Sequence, residues 1–282
     1  MNPPVEVNDP ESGAQFLRAL GRSDRQVWPI AEAALALAAL ANPGAAVARY
    51  RQELQRIARD VGRHHGAAGS LAARAQAVSE VILLKHGYSG DADTYDDLQN
   101  ADLMRVIDRR KGLPVVLGIL FIHGGRAQGW EMTGLGFPGH FLVRLAGAGQ
   151  QLILDPFHGG RVCGAGELRD LLKALAGADA ELRREYYAPV SDRDVLLRLQ
   201  NNLKSRLSRQ QRHEPAVQVV QTMLMLAPDA AELWHEAGML YRQLGNIRAS
   251  ISALDQFVRC AADGPARHQA AVMLQRLRTQ LN

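Results

Sequence analysis

Cysteine is nearly missing from this chain. Its two residues, Cys163 and Cys260, lie far apart and form no CxxC pair, so the sequence offers neither a disulfide framework nor a thiolate metal cluster. Aromatic residues are only 5% of the total, which leaves few rings for stacking on bases. No apolar run reaches the length of a membrane span. The most apolar early stretch, Ala31 to Ala41, is about half that length and already contains Glu32. The opening residues MNPPVEVNDPESG have no basic start and no apolar stretch of signal-peptide type, so a reducing, cytoplasmic setting is expected. Neither sign of charge dominates: 33 Lys and Arg against 29 Asp and Glu give a net charge of +4. The nearest basic cluster, Val195 to His213, holds Arg198, Lys204, Arg206, Arg209 and Arg212 and no acid. That spacing suits the wet side of a helix, and nucleic acid is not expected as a partner.

What is present reads as a globular protein of 282 residues, 47% hydrophobic and 22% charged, long enough for two cores. After a polar tail over 1–12, helices are expected over Ala14–Leu20, Trp28–Leu40 with Ser23 or Asp24 as cap, Ala45–Val61 and 66–86. A polar loop, Tyr88–Asp93, precedes helical spacing at Asn100, Leu103, Val106 and Ile107. Pro114 then opens a helix through Ala127 whose run Val115-Val116-Leu117, Ile119 to Ile122 marks it as the central buried one. From His140 the period changes to two. His140–Leu145 and Gln151–Asp155 read as an antiparallel hairpin around Ala146–Gln150, followed by a short strand or turn at Arg161–Cys163 and a helix over Ala165–Leu175. Arg184–Val190 reads as linker. Beyond it, Trp234, Gly238, Tyr241, Gly245-Asn246, Ser250 and Leu254 fall at the offsets of a tetratricopeptide repeat, after a degenerate copy at about 197–230 in which Lys204 stands where Gly238 does. A last helix is expected over Ala266–Leu281. The boundaries are therefore 1–190 for a helical lead-in and an α+β domain, and 191–282 for an all-α repeat domain.

Two phrases carry chemistry: Gly136-Phe137-Pro138-Gly139-His140-Phe141 and Leu154-Asp155-Pro156-Phe157-His158-Gly159-Gly160. A hairpin would make His140 and Asp155 cross-strand neighbours. An imidazole oriented by a carboxylate is the base of a hydrolase triad, and equally a structural hydrogen bond beside two tight turns. A triad needs a nucleophile, best placed at a helix N-terminus. The start of the buried helix, Gly112-Leu113-Pro114-Val115-Val116-Leu117-Gly118, has no Cys, Ser or Thr. Cys163 reads as a small core residue. His123, His140, Asp155 and His158 match no metal-ligand spacing, so no metal or cofactor is expected. Asn100 is expected to cap or bridge the loop before Gly112, and Arg109-Arg110-Lys111 to form a solvated face.

Asn100-x-x-Leu103-x-x-Val106, Arg109-Arg110-Lys111-Gly112-Leu113-Pro114, GFPGHFLVR (136–144) and Leu154-Asp155-Pro156-Phe157-x-Gly159-Gly160 together resemble the bacterial SirB-one family. The resemblance covers about Tyr95 to Leu281 and implies a papain-like transglutaminase core joined to tetratricopeptide-like repeats. It implies further that His140 and Asp155 are the family's histidine and aspartate, and that the cysteine of active enzymes falls at Val116. Serine or another residue often replaces that cysteine in the family; here even a hydroxyl is gone. The expectation is a non-catalytic binding or regulatory protein with a protein or peptide partner and no membrane. The alternative is a transglutaminase-type amide hydrolase or acyltransferase using His140 and Asp155 with a nucleophile from elsewhere.

Overall fold

The computed structural model describes residues 7–65 and 69–280. Their contacts group them into two units: the described parts of Met1–Phe16 with Arg25–Leu199, and Leu17–Asp24 with Gln200–Asn282. The stretch 191–199 thus clusters with the first unit and 17–24 with the second.

In chain order the helices up to the sheet are α1 (Pro10–Gly21), α2 (Ile30–Ala41), α3 (Val47–His65) and α4 (Leu71–Ser79), which runs into a π-helical turn at Glu80–Lys85. The two-residue strand β1 (Ser89–Gly90) pairs in parallel with β2 (Lys111–Gly112). Between them lie a 3-10 turn, Leu98–Ala101, and α5 (Leu103–Arg109). Asp102 caps α5 by accepting from the Met104 and Arg105 N–H groups, which is where the helix starts rather than at Asn100. Asn100 is fully buried and bridges instead: its side chain donates to the Thr94 carbonyl and accepts from Arg109, while its own carbonyl accepts the Leu113 N–H. The residue expected to span this loop does so. The helices expected at 66–86 and 266–281 touch residues 66–68 and 281, which lie outside the described ones.

Helix α6 (Pro114–Arg126) has proline at its first turn, and every residue from Pro114 to Ile122 is buried. It packs against α2, α3 and the strand β3 (Glu131–Gly134). Gly118 lies on the face that meets the sheet, where a Cβ would run into the buried Phe141 ring. Gly118→Ala is therefore expected to destabilise the unit by about 1–2 kcal/mol, because the cost of overpacking exceeds the ~1 kcal/mol helix-propensity gain. A urea titration followed by tryptophan fluorescence reads it; unchanged stability would mean that Phe141 has room to move.

The sheet runs in the order β3, β4 (Val143–Gly147), β5 (Gln150–Asp155) and β6 (Arg161–Val162), antiparallel throughout. β3 has only four residues and was not apparent in the sequence. The hairpin turn is tighter than expected: Ala148 and Gly149 both have positive φ (50° and 75°), so the two strands pair up to Gly147 and Gln150. The start also differs. Gly139, at φ 70°, turns the chain so that β4 begins at Val143 and His140 lies before it. Arg184–Val190 is not a free linker. It forms a 3-10 turn at Arg184–Tyr187 and pairs along the end of β3, with Leu135 bridged to Pro189 and the Val190 N–H donating to the Gly134 carbonyl. Helix α7 (Ala165–Ala176) buries Leu168 and Leu172 in an apolar cluster with Leu135, Phe137, Leu142 and Ile153.

Helices α8 (Asp192–Arg209), α9 (His213–Leu226), α10 (Ala231–Gln243), α11 (Ile247–Cys260) and α12 (Pro265–Thr279) follow. The repeat motif does what its residue types require. Gly238 on α10 has no Cβ, where one would stand 2.7 Å from Leu254 of α11, and Ser250 donates to the Gly238 carbonyl at 2.9 Å. Asn246 caps α11 through the Ala249 N–H. In the degenerate copy Lys204 reaches Glu236 at 2.6 Å. Arg206 is buried and bonds to Asn202, and Arg198 is also withdrawn from solvent, so the basic run is not simply a wet helix face.

Candidate functional site

Two turns and one arginine place the central pair. Arg198 of α8 donates to the carbonyls of Phe137 (3.0 Å) and His140 (2.7 Å), and its guanidinium stands 5.6 Å from the Phe141 ring centre. The loop before β4 is thereby fixed by an arginine side chain bonded to its carbonyls rather than by strand pairing. On the other side, β5 ends at Asp155, and the positive-φ pair Gly159-Gly160 folds the chain back so that the Gly160 N–H donates to the Asp155 carbonyl at 2.8 Å.

His140 and Asp155 meet, though not as cross-strand partners. The register pairs Val143 with Leu154, yet His140 Nε2 lies 2.9 Å from Asp155 Oδ1. His140 is 6% exposed and Asp155 0%. A carboxylate there acts as acceptor, so Nε2 carries the donated hydrogen and Nδ1 is left as the basic nitrogen. Oδ1 also accepts from the Phe157 and His158 N–H groups at 3.2 Å each, and Oδ2 faces His158 Nδ1 at 2.7 Å. Burial by itself raises the Asp155 pKa. The hydrogen bonds and charges of His140 and His158 outweigh it and hold the carboxyl at about 2. His158 stacks on His140 with ring centres 5.3 Å apart, and Phe157 stands edge-on to His140 and to Tyr95.

Among the described residues, neither Val116 nor Cys163 offers His140 a nucleophile. Val116 sits in the first turn of α6 with no exposed surface, between Val115 and Leu117, which are equally buried. Cys163 packs in the apolar cluster with Ile153, Leu168 and Leu172. Burial and the negative charge of Asp155 both push its thiol upward, against thiolate formation. His123 stands apart and bonds to the Leu54 carbonyl. His140, Asp155 and His158 do bring their ligand atoms within 4.8 Å of one another, a donor set that zinc accepts. In this arrangement the three satisfy each other by hydrogen bonds, and an ion would enter only by displacing those protons.

In the basic triplet 109–111 the two arginines are paired with buried carboxylates, while Lys111 stays exposed as expected. Arg109 binds the buried Asp91 at 3.0 Å, Arg110 binds the buried Glu53 at 2.6 Å, and Lys111 lies 3.6 Å from Asp93. The Arg109 pair ties the loop Tyr88–Asp93, and the Arg110 pair ties α3, to the segment that leads into α6. Arg198 and Tyr95 were missed as parts of the site, and Phe157, though inside one of the two phrases, was given no role. The partners of Arg198 and Tyr95 are remote in sequence, and no local pattern announces them.

Residues 48–201 match the transglutaminase-like superfamily, and residues 203–277 match the tetratricopeptide repeat. A UPF0162 protein of Xylella fastidiosa is 34% identical over 65% of this chain and 66% of its own length. One from Pseudomonas aeruginosa is 31% identical over 76% and 77%, and Protein SirB1 of Salmonella typhimurium is 23% identical over 67% and 71%. A solved structure of menin overlays with TM-score 0.44 at 9% identity, covering 97% of this chain and 75% of menin, a likeness too weak to carry any conclusion. The matched residues take in the His140 and Asp155 turns, the buried helix and the repeat helices, and on them the chain belongs to the UPF0162/SirB1 family, a transglutaminase-like core joined to tetratricopeptide-type repeats.

Proposed function

We propose that this protein is a non-catalytic binding or regulatory protein whose transglutaminase-like site keeps an oriented imidazole and lacks the group it would activate. The observation that carries this reading is Val116: an apolar, fully buried side chain in the first turn of α6, where the motif match places the nucleophile. A base without a nucleophile makes no covalent intermediate. The interior thiol at Cys163 is disfavoured by burial. His140 and Asp155 then serve as a rigid polar joint holding two turns together, with His158 and the Phe157 ring packed on it. The tetratricopeptide-type unit is the part suited to a protein or peptide partner, since stacked helix pairs offer a concave surface. Among the described residues no helix is long and apolar enough to cross a membrane. Two free cysteines are in keeping with a cytoplasmic setting, and paired or buried basic residues argue against nucleic acid.

The second reading, a transglutaminase-type amide hydrolase or acyltransferase, has one observation in its favour: the intact His140–Asp155 bond. Amine incorporation into casein, and hydrolysis of a small thioester, distinguish the two. The expected result is no turnover above the blank and no difference between wild type and His140→Ala. Turnover that falls about a hundredfold or more in His140→Ala, the scale of general-base catalysis, would establish the enzyme instead.

A further inference from the structure

The repeat unit contains a cavity of about 520 Å³, within the ~300–1,000 Å³ usual for ligand pockets. Its floor is apolar, formed by Leu224 and the small side chains of Ala237 and Ala253, all buried. Trp234 and Tyr241 stand in its wall. The Trp234 indole donates to the Pro228 carbonyl at 2.7 Å, and the Tyr241 hydroxyl accepts from Gln221, so both rings are held in place. The rim is cationic. Arg18 and Arg22, from the end of α1, line the cavity, and no acidic side chain does. Both arginines are exposed, and among the described residues neither has a carboxylate partner.

Their placement is built in. Gly21 lies against the C-terminal end of α9 so closely that a Cβ would overlap the Met225 carbonyl, so α1 ends on that helix by main-chain contact. The Arg22 N–H still donates to the Arg18 carbonyl, which keeps the two residues on one helical face. Four residues apart, they are spaced about 6 Å along the axis. In an extended peptide, side chains two residues apart share a face at about 6.5 Å. A pair of carboxylates with one residue between them therefore matches the spacing at which the backbone presents the two arginines. Arginine, tryptophan and tyrosine are also the side chains that concentrate binding energy at protein interfaces.

We propose that this cavity binds an extended acidic peptide segment of another protein, with Asp or Glu at alternate positions on Arg18 and Arg22 and an apolar side chain on the alanine-rich floor. This rests on the partner-binding reading above and names the chemistry of the partner. Two isolated guanidiniums over an apolar floor suit a peptide better than a phosphate backbone, which needs a continuous basic track.

The test uses the full chain and short fluorescein-labelled peptides centred on Glu-Ala-Glu-Ala-Leu, Glu-Ala-Glu-Ala-Phe or Lys-Ala-Lys-Ala-Leu, whose charged and apolar side chains share one face when extended, read by anisotropy. At least one acidic peptide is expected to bind, more weakly as salt rises, and the lysine peptide is expected not to. R18E/R22E should weaken the acidic peptide about tenfold or more and take up the lysine peptide, while R18K/R22K retains much of the affinity. Circular dichroism melting confirms that each variant is folded. Equal binding of both peptide types, or R18E/R22E behaving as wild type, would overturn the proposal. So would displacement by a single-stranded oligonucleotide, or self-association of the wild type abolished by R18E/R22E, which would give the cavity to another occupant. Failure of every acidic peptide also overturns it, yet leaves the non-catalytic reading standing, since that depends on turnover alone.

Discussion

Asp155→Ala is expected to lower the unfolding free energy of the first unit by about 3–5 kcal/mol, the range for removing one partner from a buried charged network. The fully buried carboxylate accepts from two imidazoles and from the Phe157 and His158 N–H groups. Deleting it leaves all of them facing a void, and the turn keeps only its main-chain bond from the Gly160 N–H to the carbonyl of residue 155. Asp155→Asn keeps an acceptor oxygen and should lose only about 1–3 kcal/mol. Urea unfolding at neutral pH measures both; equal and small losses would mean that the two turns are held by other contacts. The same carboxylate predicts the acid limb of stability. Its folded pKa of about 2 lies below the ordinary 3.8, so its contribution is full above pH 4 and is lost as pH falls from 3.8 toward 2. Asp91, likewise held at about 2 by Thr94, Asn100 and Arg109 against the effect of burial, titrates in the same window. Acid unfolding of Asp155→Asn should therefore be less steep there than that of wild type.

His86→Ala is expected to cost about 3 kcal/mol, at the lower edge of the range for a broken buried pair because some partners remain. The ring is nearly buried between two carboxylates, Glu53 at 2.9 Å from Nδ1 and Asp60 at 2.9 Å from Nε2, both on α3. Without it Glu53 keeps Arg110 and Arg56, and Asp60 keeps Lys85. Both carboxylates are held below their ordinary values by these groups in spite of burial. The effect should reach the site. Arg110 has a left-handed backbone at φ 61° just before β2, so slackening Glu53 loosens the entry to α6. Hydrogen exchange at the first turn of α6 should rise in His86→Ala; protection equal to wild type would show that β1 and β2 hold the entry without the cluster.

The buried helix was legible because its signal is local: a proline at the first turn and an unbroken apolar run. So was the repeat, whose Gly238, Ser250 and Leu254 meet across one helix pair. The His140–Asp155 pair was anticipated from a hairpin, but through the wrong contact, because Gly139 turns the chain and leaves His140 short of β4. What escaped were the arginines. A basic residue reads as solvated until its partner is known, and Arg109, Arg110 and Arg198 find theirs in Asp91, Glu53 and two carbonyls far along the chain. Arg18 and Arg22 escaped for the same reason, since the contact that brings them to the repeat cavity, Gly21 against the end of α9, joins residues about 200 apart in the chain.

The most direct test of an oriented base without a nucleophile is intact-mass spectrometry of the folded chain after a small thioester acyl donor and, separately, iodoacetamide. Cys260 is exposed and Cys163 buried, with the Cys163 thiol pushed up. The predicted result is a single carbamidomethyl group on Cys260 and no acyl adduct that depends on His140. An acyl adduct on Cys163, or on any residue, that disappears in His140→Ala would contradict the account and make the protein an enzyme with a displaced nucleophile.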